Sequence, residues 1–126
     1  MRFIPSRVHA ILDYGAGLLL IWLPDLLGFA DGTAAQFIMQ AVGAAVLLMS
    51  LCTDYEFSAV KLVPLPVHLG IDVAAGLLLV VSPWLFGFAD RVMWPHVIMS
   101  FLEIGLGLTT RAVRDDHLAT STGAPT

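Results

Sequence analysis

The residues with the clearest chemical potential are two histidine–aspartate pairs of identical spacing. His9 precedes Asp13 by four positions, and His68 precedes Asp72 by four. Side chains four apart project from the same face of a helix, so each pair would act as one unit. Both pairs lie in otherwise apolar segments, where an ionisable group is unfavourable unless it is paired or solvated. These four side chains are therefore the main functional candidates.

Three interpretations fit this pattern. The favoured one is a hydrogen-bonded clamp, in which each carboxylate is satisfied by an imidazole and the two halves of the chain are locked together. The second is a proton or ion pathway, with histidines that titrate near neutral pH, aspartates as relays, and Glu103 and Gln40 as deeper stations. The third is a helical bundle whose histidines hold a haem or a quinone. We expect no resident metal or cofactor, because Ala16 and Gly17 continue the same face and favour close helix packing.

Glu103 differs from the paired residues because it has no counterpart of its own kind. It lies eight residues before Arg111, roughly 12 Å by helical rise, which places it near the middle of its apolar segment. A carboxylate at that depth is protonated, paired or in contact with water. A 59-residue shift between the two halves sets it opposite Ala44.

The elements that must position these residues are four apolar segments. The chain of 126 residues is 58% hydrophobic and only 13% charged, and its mean hydropathy is +0.86. A soluble fold of this size could not hide so much apolar surface, so the composition indicates a membrane protein. Each segment has the length of a transmembrane helix, roughly 20 residues. The predicted spans are about 8–27, 34–52, 67–86 and 93–110.

The first and third segments are copies of one another. Shifted by 59 residues, 15 of the 27 pairs from residue 5 to residue 31 are identical. This duplication makes a secretory signal at the N-terminus the weaker interpretation of the first segment. The predicted organisation is a first repeat over 1–59, a second over 60–114 and a disordered cytoplasmic tail over 115–126. Because each repeat holds two spans, we expect parallel repeats in an all-α, four-helix bundle with pseudo-two-fold symmetry.

The basic residues predict the orientation of the spans. Cytoplasmic loops retain Lys and Arg, whereas translocated loops do not. Only Arg91 falls on the side of the two corners that connect the helices within each repeat. Both termini are therefore expected in the cytoplasm, on the side that holds Arg2, Arg7, Lys61, Arg111 and Arg114. The single cysteine, Cys52, excludes an intramolecular disulfide.

A corner motif is repeated after the first helix of each repeat, as LPDLLGFAD at 23–31 and SPWLFGFAD at 82–90. The prolines should break or kink the helices near their outer ends, and the glycines should permit the chain to reverse. Aromatic residues, namely Trp84, Phe86 and Phe88, should anchor at the headgroups. The residues of this outer corner motif are Pro24, Gly28, Asp31, Pro83, Trp84, Gly87 and Asp90.

The two corner aspartates have a predicted structural role. Asp31 and Asp90 are placed to cap the N-termini of the returning helices, and Thr33 with Gln36 could form a capping box. A less favoured alternative is an external ligand or metal site built from the two aspartates and His96.

These motifs resemble those of a known family. The pattern P-x3-H-x3-D, followed by SPWLFGF, is similar to the SPW repeat family of small bacterial and archaeal membrane proteins. The second copy carries the signature tripeptide Ser82-Pro83-Trp84, whereas the first departs from it as Leu23-Pro24-Asp25. The resemblance implies a multi-span protein of the plasma membrane and brings no established activity with it.

Common catalytic motifs do not occur in the sequence. HExxH, GxSxG and phosphate-binding glycine loops are all missing, so we expect no enzymatic activity. The expected role is structural or accessory, through self-association or a larger membrane-protein partner in the lipid bilayer and without nucleic acid. Small residues on several helix faces, which favour close helix approach, support this expectation. They include Ala41, Ala45, Gly105 and Gly107.

Overall fold

A computed structural model describes residues 2–113 of the chain, and these residues form an all-helical protein. Arg114 and the predicted tail over 115–126 lie outside the described residues. The four helices coincide with the four apolar segments of the sequence. They are α1 (Ser6–Leu26), α2 (Ala34–Cys52), α3 (Leu65–Leu85) and α4 (Trp94–Thr109).

The helices pack as two hairpins. α1 lies against α2 and α3 against α4 along most of their lengths, while the contacts between hairpins are fewer and mainly join α2 to α3. Glycines allow the close packing within each hairpin. A Cβ atom on Gly43 would lie 2.8 Å from the carbonyl oxygen of Gly17, and one on Gly107 would lie 2.7 Å from that of Leu69. Each hairpin is therefore closely packed, and the two hairpins also share an apolar core that includes Leu20, Leu79 and Met99.

Backbone hydrogen bonds close the two hairpins into a ring. The segment before α1, residues 3–4, bonds to residues 109–111 at the end of α4. In the same way, the segment before α3, residues 62–63, bonds to residues 52–54 at the end of α2. Each hairpin thus begins on the end of the other, as pseudo-two-fold symmetry requires.

The packing corrects the register between the second helices. In the first hairpin the carbonyl oxygen of Gly43 lies against Gly17, and in the second hairpin that of Ser100 lies against Gly76. Gly43 and Ser100 are therefore equivalent, and they are 57 positions apart. The 59-residue shift therefore applies to α1 and α3 but not to α2 and α4. The structural counterpart of Glu103 is Val46, and the alignment with Ala44 was wrong.

The corner prolines do not end their helices. α1 continues through Pro24 to Leu26, and α3 continues through Pro83 to Leu85. Of the two predicted effects, a break or a kink, the break is wrong, because the chain keeps helical geometry for two more residues.

The glycines end α1 and α3 instead, each in a Schellman motif. Gly28 has a φ of 78°, a left-handed conformation that glycine adopts without steric cost. The N–H of Phe29 then donates to the carbonyl of Pro24 over 2.8 Å. The second corner repeats this bond at 2.8 Å after Gly87, whose φ is 73°.

The predicted helix caps were also wrong. α2 begins after Thr33, and Asp31 instead accepts hydrogen bonds from the N–H and hydroxyl of Thr33 at 3.1 and 2.6 Å. Asp90 lies four residues before the first residue of α4, too early to cap it. Gln36 accepts from the N–H of Gly32, and Thr33 makes no side-chain cap bond, so no complete capping box forms.

Two of the helices are long and apolar enough to cross a membrane. Judged by length and composition within the described residues, these are α2 and α3. α1 has similar length but includes Asp13 and Asp25, and α4 has only 16 residues.

Substitution of Gly107 should test the close helix contact. Gly107→Ala places a methyl group against backbone atoms of α3 and should destabilise the protein by about 1–3 kcal/mol. Gly105→Ala on the same helix is the matched control, because no atom lies within 4 Å of its added Cβ. Unfolding in mild detergent measures both variants, and equal stability of the two would contradict the packing described here.

Candidate functional site

The structure brings the two histidine–aspartate pairs together between the hairpins. His9 and Asp13 lie on α1, and His68 and Asp72 lie on α3, at most 2% exposed. The i, i+4 spacing places each imidazole and its carboxylate on one helix face. The pseudo-two-fold arrangement then turns the two faces toward each other. These four residues are called the His–Asp cluster below.

Four atoms of the His–Asp cluster converge on one point. Within α1, His9 Nε2 lies 3.1 Å from Asp13 Oδ2, and the matching distance within α3 is 3.2 Å. Across the hairpins, His68 Nε2 lies 2.6 Å from Asp13 Oδ2, and His9 Nε2 lies 3.1 Å from Asp72 Oδ2. The two Nε2 atoms are 3.4 Å apart. Each imidazole therefore contacts both carboxylates.

The outer nitrogen of each imidazole contacts a threonine at the end of a second helix. His68 Nδ1 lies 2.6 Å from Thr53 Oγ1, and His9 Nδ1 lies 2.7 Å from Thr110 Oγ1. The hydroxyl of Thr53 donates a hydrogen bond to the carbonyl of Met49, so its oxygen accepts a hydrogen bond from the N–H at His68 Nδ1. A neutral His68 consequently presents a lone pair at Nε2.

This tautomer determines what the cluster can hold. An imidazole lone pair and a carboxylate oxygen repel each other at the 2.6 Å that separates His68 Nε2 from Asp13 Oδ2. The short contact therefore requires a proton or a metal cation between these atoms. Because the mutual contacts run between α1 and α3, the cluster links the two hairpins in either case.

The loop between α2 and α3 covers the cluster. Tyr55 is fully buried, and its ring centroid lies 5.5 Å from that of His68 and 6.4 Å from that of His9. Burial raises the pKa of the Tyr55 hydroxyl, so it stays neutral. Lys61 donates to the carbonyl of Tyr55 over 2.6 Å and holds the loop in place.

Glu103 lies beside the cluster but outside its four converging atoms. It is completely buried, and neither carboxylate oxygen has a hydrogen-bond partner among the described residues. One turn along α4, a Cβ on Gly107 would lie 3.3 Å from that of Asp72, which places Glu103 near the same level of the bundle. It interacts electrostatically with all four cluster residues.

Gln40 is not part of the cluster. Its side-chain amide donates to the carbonyl of Ile21 over 3.0 Å. On α2, the residue that contacts the cluster is Ser50, which donates to Asp13 over 3.3 Å. Ser50 lies ten residues after Gln40. Ten residues span about 15 Å of helix. Gln40 therefore belongs to the opposite half of the bundle.

Sequence reasoning missed four residues that surround the cluster: Ser50, Thr53, Tyr55 and Thr110. The threonines carried a detectable signal, because Leu-x-Thr ends both second helices at 51–53 and 108–110. The two threonines are 57 positions apart, so the 59-residue shift that relates α1 to α3 does not align them. Tyr55 lies in the connecting loop, and no repeated pattern marks it.

His96 occupies a second buried position at the corner end of the bundle. Its Nε2 donates to the carbonyl of Ala35 over 2.9 Å and joins α4 to α2. The rings of Phe29 and Phe88, counterparts in the repeat, lie 5.7 and 4.8 Å from its ring. Phe88 is thus a core residue rather than an interfacial anchor, whereas Trp84 remains 59% exposed.

The corner aspartates and His96 have separate surroundings. Arg91 donates to Asp31 over 2.6 Å and to the hydroxyl of Thr33 over 3.0 Å, and so links the two corners. Hydrogen bonds from the Thr33 hydroxyl and from Arg91 lower the pKa of the exposed Asp31 carboxyl. His96 is buried against Ala35, so these contacts give no support to a joint external site.

Fold and site together define an all-helical protein of two repeated hairpins joined by a buried polar cluster. The model of the SPW repeat domain matches residues 7–110, and the chain therefore belongs to this family. No curated protein and no solved structure matches the chain. Family membership and the two apolar helices indicate a small membrane protein.

Removal of one cluster charge should loosen the protein. Asp13→Asn keeps the size of the side chain but deprives both imidazoles of a charged partner, and we expect a loss of about 2–4 kcal/mol. Asp25→Asn, on the exposed side of the same helix, should change stability little. Unfolding in mild detergent compares the two. Equal stability of both variants would show that the cluster does not hold the hairpins together.

Proposed function

We propose that this protein spans the membrane four times and has a structural or accessory role without catalysis. The His–Asp cluster joins its two hairpins into one body. Its outer faces then pack against other membrane-embedded helices, in the first place those of further copies of the same chain.

The distribution of side chains carries this proposal. Ionisable groups such as His9 and Glu103 are fully buried, whereas Trp22 on α1 and Phe101 on α4 are 60% and 67% exposed. Water would favour the reverse arrangement, since large contiguous apolar surfaces are rare on soluble monomers. Lipid around all four helices accounts for it, including α1 and α4.

Both termini are proposed to lie in the cytoplasm. The backbone bonds between residues 3–4 and 109–111 place the start of α1 and the end of α4 at one end of the bundle. The loop over 53–64 lies at the same end, because residues 52–54 and 62–63 form the equivalent junction. This end also carries the excess of basic residues, which supports a cytoplasmic location.

The geometry favours a clamp over the two alternatives. A pathway requires access for water, yet the cluster residues are sealed in the protein at 0–2% exposure. A haem held by both histidines requires a gap for the porphyrin. Asp13 Oδ2 and Asp72 Oδ2 each lie within 3.2 Å of both Nε2 atoms and occupy the space beside them that the porphyrin would need.

The topology can be tested by cysteine labelling in a Cys52→Ser background. Ala30→Cys lies exposed at the corner end and Ala59→Cys lies exposed at the opposite end. A membrane-impermeant maleimide should label residue 30 in intact cells and residue 59 only after permeabilisation. Labelling of residue 59 in intact cells, with residue 30 protected, would reverse the proposed orientation.

Assembly can be tested at the small-residue groove between α2 and α3. This groove is lined by Ala41, Ala45 and Ala74, which allow close helix approach. Native mass spectrometry from mild detergent should detect two or more copies, and Ala45→Leu should reduce the multimer. Ala44→Leu, exposed on α2 outside the groove, is the control. A wild-type monomer that binds no other protein would contradict the assembly role. Copurification of a different membrane protein in a stoichiometric amount would show that this protein, rather than a further copy of the chain, is the partner.

A further inference from the structure

We propose that the His–Asp cluster binds one divalent transition-metal ion, with Zn²⁺ as the best match. The ligands are Nε2 of His9 and His68 and Oδ2 of Asp13 and Asp72. The metal would bind at the same cluster as the proposed clamp. The clamp itself does not require a metal, since hydrogen bonds within the cluster could also hold the two hairpins together.

Five of the six distances between the four atoms are close to those of a tetrahedral zinc site, and the two carboxylate oxygens, which form the sixth and widest pair, would have to approach each other by about 1 Å or more. Zinc bonds to histidine nitrogen and carboxylate oxygen of about 2.0–2.1 Å place neighbouring ligand atoms about 3.3–3.4 Å apart. Five of the separations in the cluster lie between 2.6 and 3.4 Å, and all four atoms lie within 4.8 Å of one another. A central cation therefore requires shifts of only tenths of an ångström for most of these pairs.

Hydrogen bonding leaves part of the cluster unsatisfied. Asp72 Oδ2 lies 3.1 Å from His9 Nε2 and 3.2 Å from His68 Nε2, but neither contact has the direction of a hydrogen bond. Thr53 accepts a hydrogen bond from the outer nitrogen of His68, which leaves the lone pair of a neutral imidazole at Nε2, directed toward the cluster. A metal cation satisfies lone pairs of a neutral imidazole and of carboxylates that converge in this way.

The surroundings orient the ligands as in other histidine metal sites. Metal-binding imidazoles characteristically use their second nitrogen to contact a hydrogen-bonding group, which fixes the ring. Thr53 and Thr110 supply these contacts, and Ser50 donates to Asp13 Oδ2 over 3.3 Å. Four protein ligands complete a tetrahedron, so the metal would be structural rather than catalytic.

Charge and donor type define the class of ion. Two carboxylates and two neutral imidazoles carry a total charge of −2, which a divalent cation cancels within the apolar interior. Mixed nitrogen and oxygen donors suit Zn²⁺ or Co²⁺. Ca²⁺ requires six to eight oxygen ligands and Mg²⁺ requires octahedral coordination, so neither fits four such donors. Because each hairpin provides two ligands, the ion would cross-link the hairpins.

The test uses the full chain in mild detergent, stripped with a chelator and then titrated with Zn²⁺. Wild type should retain one Zn²⁺ per chain after desalting, measured by elemental mass spectrometry. Asp72→Asn should lower the affinity roughly a hundredfold or more, since loss of an outer partner alone weakens such sites 10–100-fold. Glu103→Gln is the matched control, a buried carboxylate beside the cluster but outside the four ligands, and it should lower the affinity far less than Asp72→Asn does.

Co²⁺ provides a second readout that does not depend on the variants. Wild type loaded with Co²⁺ should show the intense visible absorption of a tetrahedral ion, and Zn²⁺ should displace it. Less than a tenth of an equivalent of either metal in wild type would overturn the proposal. Equal zinc retention by Asp72→Asn and Glu103→Gln would also overturn it.

Thermal unfolding separates the metal site from the clamp. Zn²⁺ should raise the melting temperature of wild type and of Glu103→Gln but not that of Asp72→Asn. If Zn²⁺ leaves wild type unchanged while Asp13→Asn still melts lower than Asp25→Asn, the metal site is wrong and the clamp stands. A second outcome is that Asp13→Asn and Asp25→Asn have the same melting temperature without metal, while Zn²⁺ raises that of wild type. The metal-site proposal is then supported, and the proposal of a clamp held by protons is wrong.

Discussion

The contact between α1 and α3 across the pseudo-two-fold axis is the interaction on which the arrangement of this protein depends. Within each hairpin, glycines let the two helices pack closely, and an apolar core with residues from both hairpins adds contacts between the hairpins. The His–Asp cluster differs from these apolar contacts, because a buried imidazole or carboxylate is strongly unfavourable without a partner. Each hairpin carries half of the cluster, and the shortest of its contacts, 2.6 Å between His68 Nε2 and Asp13 Oδ2, forms only in the joined state. The cost of burying charge thereby selects one relative position of the two hairpins.

Other polar contacts between the hairpins act in the same direction. Backbone bonds join them at the cluster end, while Arg91 with Asp31 and His96 with Ala35 join them at the corner end. In lipid, apolar surface contributes little to helix association, and polar contacts carry more of it. A protein with an apolar exterior and few inter-hairpin contacts is consistent with this principle.

The duplicated halves have diverged where they surround the cluster. All four cluster residues are equivalent under the pseudo-two-fold symmetry, but Glu103 stands where the first half has Val46. The difference lies on the second helices, which touch the cluster from outside. The two halves are thus identical at the four cluster residues and differ on the second helices, where only the second half places a buried carboxylate.

The sequence by itself determined the four helices, the repeat, the family and the pairing of each histidine with its aspartate, because hydropathy and i, i+4 spacing are local properties. It did not determine the helix ends, since the chain passes through Pro24 and stops only where Gly28 takes a left-handed conformation. Only the tertiary structure decided that the two pairs share one centre and that Tyr55 covers it, while Gln40 lies elsewhere. Those relations join segments far apart in the chain. The 57-residue shift between the second helices is marked in the sequence only by the repeated Leu-x-Thr at their ends, and the packing of their backbones establishes it.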